Sequence, residues 1–436
     1  MVISGRLVAL LALGVVPIVV SGSPLWLGPW LLLVAVLTTI DLALAGSPRR
    51  VRLVREVPPR VRLGDTATAT LVIENTGSRA IRGIVRDAWQ PSAGANPTRT
   101  PVDIPAGERR LIRTGLTPTR RGERRAAHVT IRSYGPLHLA ARQATHRTSG
   151  AIRVLPRFES RKHLPSRLAR LRELDGRTSV MIRGQGTEFD SLRDYVRGDD
   201  VRSIDWRATA RRRDAQGGQK LMVRTWRPER DRRVVIVIDS GRTSAARIAG
   251  EPRLDTAFES ALLLGALATR AGDRVDLVIF DRRIRGRVQG ASGAELLSRM
   301  VETMATVEPE LLEPDWAAVP GLVRSVTSQH ALVVLATTID APGASRGLLA
   351  ALPQLTRHHT VVVSSVTDPD VLAATLERGS REEVYRAAAA ERALLDRERV
   401  AAAIRRVGGE VVTGSPPELP PALADRYIAL KAAGRL

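Results

Sequence analysis

The chain has 436 residues, a formal net charge of +22 and no cysteine, which sets aside disulfides, thiolate catalysis and cysteine-ligated zinc. The length calls for two or three domains. The charge points either to an anionic partner (RNA, DNA or lipid headgroups) or to the arginine-rich composition of a GC-rich genome, since lysine occurs only at Lys162, Lys220 and Lys431.

Two apolar runs open the chain. Residues 7–20, "LVALLALGVVPIVV", carry no charge, and residues 25–45, "LWLGPWLLLVAVLTTIDLALA", carry only Asp41. The second is long enough for a hydrocarbon core of about 30 Å, and the first spans if Arg6 snorkels. The short link "SGSP" suits a helical hairpin, and Arg49, Arg50, Arg52 and Arg55 form a flank that stays in the cytosol. A cleaved signal peptide is the competing reading of the first run. In that case the second run acts as stop-transfer, and the soluble part still faces the cytosol.

From about residue 52 to 155 the period changes to two. In "TATATLVIENTGS", Ala67, Ala69, Leu71 and Ile73 share one face, with Thr68, Thr70 and Val72 on the other. The runs "IRGIVRDAW", "RRLIRTGL", "AAHVTIRS" and "AIRVLPRF" repeat the pattern between Gly- and Pro-bearing turns. An antiparallel β-sandwich is expected.

The stretch "GTEFDSLRDYVRGDDVRSIDWRATARR", 186–212, is dense in charge of both signs. Phe189, Leu192 and Val196 recur at helical spacing, Gly198 ends that helix, and Asp199 or Asp200 caps a second one carrying Ile204. Asp190 with Arg193, Asp194 with Arg197, and Arg202 with Asp205 are spaced for i,i+3 pairing. Tyr195 and Trp206 are expected to pack against each other or against a sheet. The segment reads as a helical brace with Trp206 as its structural lock.

From residue 230 apolar strands alternate with helices. "RRVVIVIDS" ends in Asp239, and "RVDLVIF", "HALVVLATT", "HTVVVSSV" and "GEVVTGS" follow, with a helix in each interval. That alternation predicts a doubly wound parallel sheet with ligands at the carboxyl ends of its strands. Catalytic motifs are missing: there is no G-x-x-x-x-G-K-[ST], H-E-x-x-H or G-x-S-x-G. "HH" at 358–359 reads as a surface pair, and "GQG" at 184–186 lacks the preceding strand a dinucleotide loop needs.

The 186–212 stretch, the following "LMVRTWRPERDRRVVIVIDSGRTS" and the closing "LADRYIALKAAGRL" resemble domain-of-unknown-function family 58. Its signature positions here are Gly186, Glu188, Phe189, Leu192, Arg193, Tyr195, Gly198, Asp199, Asp200, Arg202, Ile204, Asp205 and Trp206. The resemblance extends over essentially the whole chain. It implies a mixed architecture: a transmembrane helical hairpin (1–48), a β-sandwich (49–157), the signature segment (158–229) and an α/β von Willebrand factor A-like domain (230–436). It also implies a bacterial inner-membrane protein with cytosolic domains and no enzymatic activity, acting with a MoxR-type AAA+ ATPase in assembly or maturation of other complexes. The alternative is a basic membrane-associated protein binding RNA or anionic lipid.

Von Willebrand A-like domains often hold Mg²⁺ through a D-x-S-x-S loop with a distant threonine and aspartate. Here "DSGRTS" keeps Asp239 and Thr243 but places Gly241 at the first serine position. Pro314 takes the threonine position, and Thr338 stands where the last aspartate belongs, with Asp340 two residues late. A vestigial site, no cofactor and no nucleic-acid partner are expected, with Asp239 capping its turn. Docking is expected instead through the strand-end loops, represented by Arg242, Asp315 and Asp340.

Overall fold

The computed structural model describes residues 1–181, 188–196, 201–211, 221–227 and 232–436; side chains of 175–181, 188–191 and 225–227 fall outside the description. Contacts divide it into two compact units, Met1–Arg157 and Phe158–Leu436.

The first unit opens with a short strand, β1 (Val2–Ile3), followed by α1 (Gly5–Leu13) and α2 (Val15–Ser21). Ser4 caps α1, its hydroxyl accepting from the Leu7 N–H at 3.3 Å. The first apolar run is thus two helices meeting at Gly14 rather than one. After a 3₁₀ turn, α3 (Leu27–Leu44) is apolar on every side. With its leading turn it forms the stretch Pro24–Leu44, of mean hydropathy 2.0, long and apolar enough to span a membrane. Among the described residues no other helix is both long and apolar enough, the apolar Gly5–Ser21 being shorter. Leu7, Val34 and Leu139 pack together, and Trp30 Nε1 donates to the Leu10 carbonyl at 3.2 Å.

The strands of this unit are β2 (Val51–Glu56), β3 (Arg60–Arg62), β4 (Ala67–Asn75), β5 (Ile81–Trp89) and β6 (Ala95–Asn96). They continue as β7 (Arg99–Ile104), β8 (Arg109–Leu116), β9 (Gly122–Tyr134), β10 (Ala140–His146) and β11 (Gly150–Leu155). One sheet runs β2-β4-β8-β6; in the other, β1-β10-β9-β11-β3 form a path and β5 bridges β9 to β7. Pairing is antiparallel except between β11 and β3. Leu71 and Ile73 of β4 and Ile112 of β8 share one core with Ile81, Val85, Ile104, Val129 and Ile131 of the other sheet. The sheets therefore face each other as a sandwich, as the period-two pattern of β4 anticipates. Within it Arg55, fully buried, pairs with Asp87 at 2.5 Å, and Trp89 Nε1 donates to the same carboxylate at 2.9 Å.

The second unit begins with α4 (Leu164–Met181), then β12 (Glu188–Asp194), a short α5 (Trp206–Thr209) and β13 (Met222–Arg227). β12 and β13 pair antiparallel, with Leu192 opposite Arg224 and Asp194 opposite Met222. This corrects the helical reading of the stretch. Leu192 and Val196 are exposed and do not form a buried stripe. Helical spacing is a local signal that pairing with a partner strand overrides, and here the partner β13 decided. Ile204 bridges Val223 ahead of α5, and the cap of α5 is Asp205, which accepts from the N–H groups of Arg207 and Ala208, each at 2.9 Å.

Then come β14 (Arg233–Asp239), a small β15–β16 pair (Arg247–Ile248 and Glu251–Pro252), α6 (Arg253–Arg270), β17 (Arg274–Phe280), β18 (Ile284–Val288) and α7 (Gly293–Thr306). The chain ends with α8 (Val319–Val326), β19 (Leu332–Ala336), α9 (Arg346–Thr356), β20 (Thr360–Val366), α10 (Pro369–Ala374), α11 (Arg381–Arg406), β21 (Glu410–Gly414) and α12 (Leu419–Ala432). The sheet order is β18-β17-β14-β19-β20-β21. All neighbours are parallel except β18, an antiparallel edge strand that the sequence reading missed. Only a few residues join it to β17, and a link that short allows nothing but a hairpin.

Helices cover both faces. Val235, Val237, Val333, Leu335, Val361 and Val363 pack with residues of α8, α9 and α11. The opposite face carries α6, whose Leu254, Phe258, Leu262, Leu263, Leu264 and Leu267 are fully buried beneath α7 and α12. Burying one such side chain is worth about 2 kcal/mol, so α6 is a main source of this unit's stability.

Candidate functional site

The strand order reverses at β14: the chain winds outward to β17 and β18, then returns to start β19 on the other side. Loops at the carboxyl ends of β14 and β19 leave in opposite directions there, the usual ligand-binding position of such sheets. Asp239, the last residue of β14, is buried at that point.

Each oxygen of Asp239 is already engaged. Gly241 N donates to Oδ1 at 2.7 Å, and Thr337 Oγ1 donates to Oδ2 at 2.7 Å. The Asp239 carbonyl accepts from Ser244 Oγ at 2.6 Å. Burial pushes the carboxyl from 3.8 up to about 6, against the lowering effect of the two donors, and the charges of Glu313 and Asp281 add to the rise.

A lid of residues 310–315 closes the site. Arg242 N donates to the Leu312 carbonyl at 2.8 Å, Glu310 N to the Ser240 carbonyl at 2.9 Å, and Asp315 N to the Asp281 carbonyl at 2.9 Å. A side chain at Gly241 would bring its Cβ to 2.7 Å from that Leu312 oxygen and 3.0 Å from Pro314 Cδ. Glycine is required by this close approach. Trp316 anchors the lid from below, buried with its ring edge-on to Phe280 at 5.4 Å.

Asp281, at the end of β17, is equally buried. It accepts from Arg282 N at 2.6 Å and Arg283 N at 3.1 Å, and Arg285 lies 3.6 Å away while also pairing with Glu310. Sequence reasoning overlooked Asp281; the signal was a carboxylate directly after the apolar run "RVDLVIF", much as Asp239 closes "RRVVIVID".

The expected residues are placed unevenly. Thr243 sits in a 3₁₀ turn (Arg242–Ala245), and Ser244 is the hydroxyl that turns back to the strand end. The contact across the switch point is made by Thr337, not Thr338. Arg242 is exposed and pairs with Glu313 at 2.5 Å. Asp315 caps the turn at Trp316 by accepting from Ala317 N, and Asp340 stands 3.4 Å from Arg253. In the signature segment Asp205 pairs with Arg224 at 2.7 Å. Trp206 is 66% exposed, so it is not a buried lock. A helix of one turn has too little surface to bury an indole. Gly186, Gly198, Asp199 and Asp200, and the side chains of Glu188 and Phe189, lie outside the described residues. His359 is buried, with burial holding its imidazole below the ordinary value, so 358–359 is not a surface pair.

The residues around Asp239 do not fit an octahedral Mg²⁺. Such an ion needs several converging oxygens and open positions for water. Here each oxygen of Asp239 already accepts from a protein donor, Gly241 offers no side chain, and Pro314 and Leu312 crowd the approach. Among the described residues no group of three or more His, Asp or Glu could hold a metal ion.

The fold and site define an α/β unit with a sealed strand-end face, joined in sequence to a sandwich that carries an apolar N-terminal helix. Residues 191–402 match the family described as "Protein of unknown function DUF58". An uncharacterized protein of Mycobacterium tuberculosis (strain ATCC 25618 / H37Rv) is 26% identical over 234 residues, covering 49% of this chain and 71% of that protein. An uncharacterized protein of Mycobacterium bovis aligns equally. Among solved structures, the CARDB domain of a Pyrococcus furiosus protein matches at 16% identity over 24% of this chain and 91% of that domain, with a TM-score of 0.18. A beta-glucosidase from Listeria innocua matches at 14% identity over 24% of this chain and 16% of the enzyme, also at 0.18.

Proposed function

We propose that this protein is a non-enzymatic, membrane-anchored interaction protein whose von Willebrand factor A-like unit docks a partner through its strand-end loops. The partner class, a MoxR-type AAA+ ATPase engaged in assembling or maturing other complexes, comes from the family resemblance. The observation that carries the reading is the lid. Beneath it the strand-end carboxylates Asp239 and Asp281 accept hydrogen bonds from the protein itself, while Glu313, paired with Arg242, and Leu311 are exposed at the surface. A closed, partly apolar face with an ion pair at its rim suits protein contact better than chemistry on a small molecule.

The membrane reading is a hairpin with both soluble units in the cytosol, inserted through α1–α3. Its support is the apolar stretch Pro24–Leu44, packed along α1, and the arginine flank behind it. Detergent-solubilised full-length protein should retain a MoxR-type ATPase encoded beside it. Arg242→Glu should weaken that retention at least fivefold without lowering the melting temperature; unchanged retention moves the contact off this face.

One observation favours the second reading, a basic protein binding RNA or anionic lipid. At the opposite, amino ends of the strands, Arg233, Arg274 and Arg324 line a cavity of about 430 Å³ with Thr327, Ser328 and Gln329. Steep salt dependence of RNA or vesicle binding, lost in Arg324→Glu, would support it over protein docking.

A further inference from the structure

The apolar N-terminal segment leaves the sandwich and returns to it at one place. β1 pairs with β10, Ile3 opposite Ala140 and Val2 opposite Ala141, and Ser4 N donates to the Leu139 carbonyl at 3.1 Å. At the far end of the segment, Asp41 is fully buried against the same turn. Its Oδ1 accepts from Leu137 N at 2.7 Å, and its Oδ2 from Leu139 N at 2.8 Å and Ala140 N at 3.3 Å. These charge-assisted bonds replace the water that a carboxylate in an apolar helix would otherwise need. The fit is tight: a Cβ on Gly135 would lie 2.1 Å from the Asp41 carbonyl and 2.3 Å from Oδ1.

The latch fixes a depth. Asp41 stands three residues before the end of α3, about 4.5 Å along the axis at 1.5 Å per residue. Whatever layer surrounds the last turn of α3 therefore also surrounds the turn 135–139. At its tip Leu137 is 46% exposed, while its neighbour Leu139 is buried against Leu7 and Val34. An apolar tip beside the end of a spanning helix, with Arg6 exposed on the first turn of α1, suits the interfacial layer of a bilayer.

We infer that the turn 135–139 is a lipid-contacting foot of the sandwich, latched to α3 by Asp41, with Leu137 entering the headgroup layer. The inference rests on the membrane reading above. It adds that the sandwich stands on the bilayer rather than hanging from a tether, and that the amino terminus lies on the sandwich side.

The absence of native cysteine makes the test direct. Full-length Leu137→Cys, labelled with a polarity-sensitive fluorophore, is reconstituted into vesicles of phosphatidylcholine and phosphatidylglycerol carrying bromine high on the acyl chains. Val19→Cys, in the exposed stretch of α2, reports insertion of the segment itself. Blue-shifted emission at 137 and at least twofold quenching are expected, with quenching at 19 as well. Water-like, unquenched emission at 137 with quenching at 19 overturns the foot and leaves the membrane reading standing. Absence of quenching at both sites overturns the membrane reading and the inference with it. Asp41→Asn offers one carbonyl to three donors, and Gly135→Ala forces the turn away from Asp41. Either should reduce quenching at 137 and spare it at 19, and unchanged quenching in both would remove Asp41 as the latch.

Discussion

The hydroxyl of Thr337 donates to the buried carboxylate of Asp239 across the point where the sheet reverses its order. The bond ties the ends of β14 and β19 together where related sheets open to admit a ligand. With Gly241 N on the other oxygen, each oxygen of the buried Asp239 carboxylate accepts a hydrogen bond from the protein. The lid over it is held to the strand ends by backbone hydrogen bonds.

Asp239 should make the protein less stable at neutral pH than in mild acid. Its folded value of about 6 exceeds the ordinary 3.8, so the folded chain holds the proton more tightly than the unfolded chain. Stability from this group therefore falls as pH rises from about 4 to about 6 and stays low above, by up to about 3 kcal/mol. Asp239→Asn can still accept from Gly241 N and donate to Thr337, and should flatten that slope and raise the melting temperature at pH 8. A lower melting temperature at pH 8 would mean that something cationic compensates the carboxylate.

Gly241→Ser, which restores a hydroxyl to the loop, should not create a metal site. Its Cβ meets the Leu312 carbonyl and Pro314, and overpacking of this kind costs about 1–3 kcal/mol. Thermal unfolding should show the loss, and calorimetric titration with Mg²⁺ or Mn²⁺ should show no gain. Micromolar binding in the variant would refute the sealed-lid account.

The last helix is locked by a buried pair. Lys431 Nζ donates to Asp273 Oδ1 at 2.9 Å and to the Ala271 carbonyl at 3.0 Å, while Tyr427 donates to the other Asp273 oxygen. Lys431→Met leaves a buried carboxylate without its cation and should cost about 3–5 kcal/mol. Tyr427→Phe removes one hydrogen bond and should cost about 1–2 kcal/mol. Denaturant midpoints for the two variants test the order; equal losses would show that the charge is not what holds the helix.

Trp206→Ala should leave thermal stability within about 0.5 kcal/mol, because the indole faces solvent. Asp205→Ala should lower it more, since that carboxylate caps α5 and pairs with Arg224. A large loss in Trp206→Ala would return the indole to a structural role. A stable variant with weaker ATPase retention would make it part of the recognition surface.

Periodicity along the chain was enough to determine the elements whose environment is set locally. The alternation in β4, the continuous apolar runs of β14, β17, β19 and β20, and the long apolar α3 each declare their burial within a few residues, because side-chain period follows backbone geometry. The signature segment could not be read this way. Its helical spacing and its strand pairing compete on nearly equal terms, and β13, some thirty residues later, settles the matter. The same holds for the sites. Asp239 was legible as a carboxylate at a strand end, and Gly241 as a missing ligand. That Thr337 rather than Thr338 meets Asp239, and that Leu312 and Pro314 seal it, depend on where separate loops converge. Asp41 is the sharpest case: in sequence it is one charge in an apolar helix, and only the fold brings it three N–H donors from a turn nearly a hundred residues away.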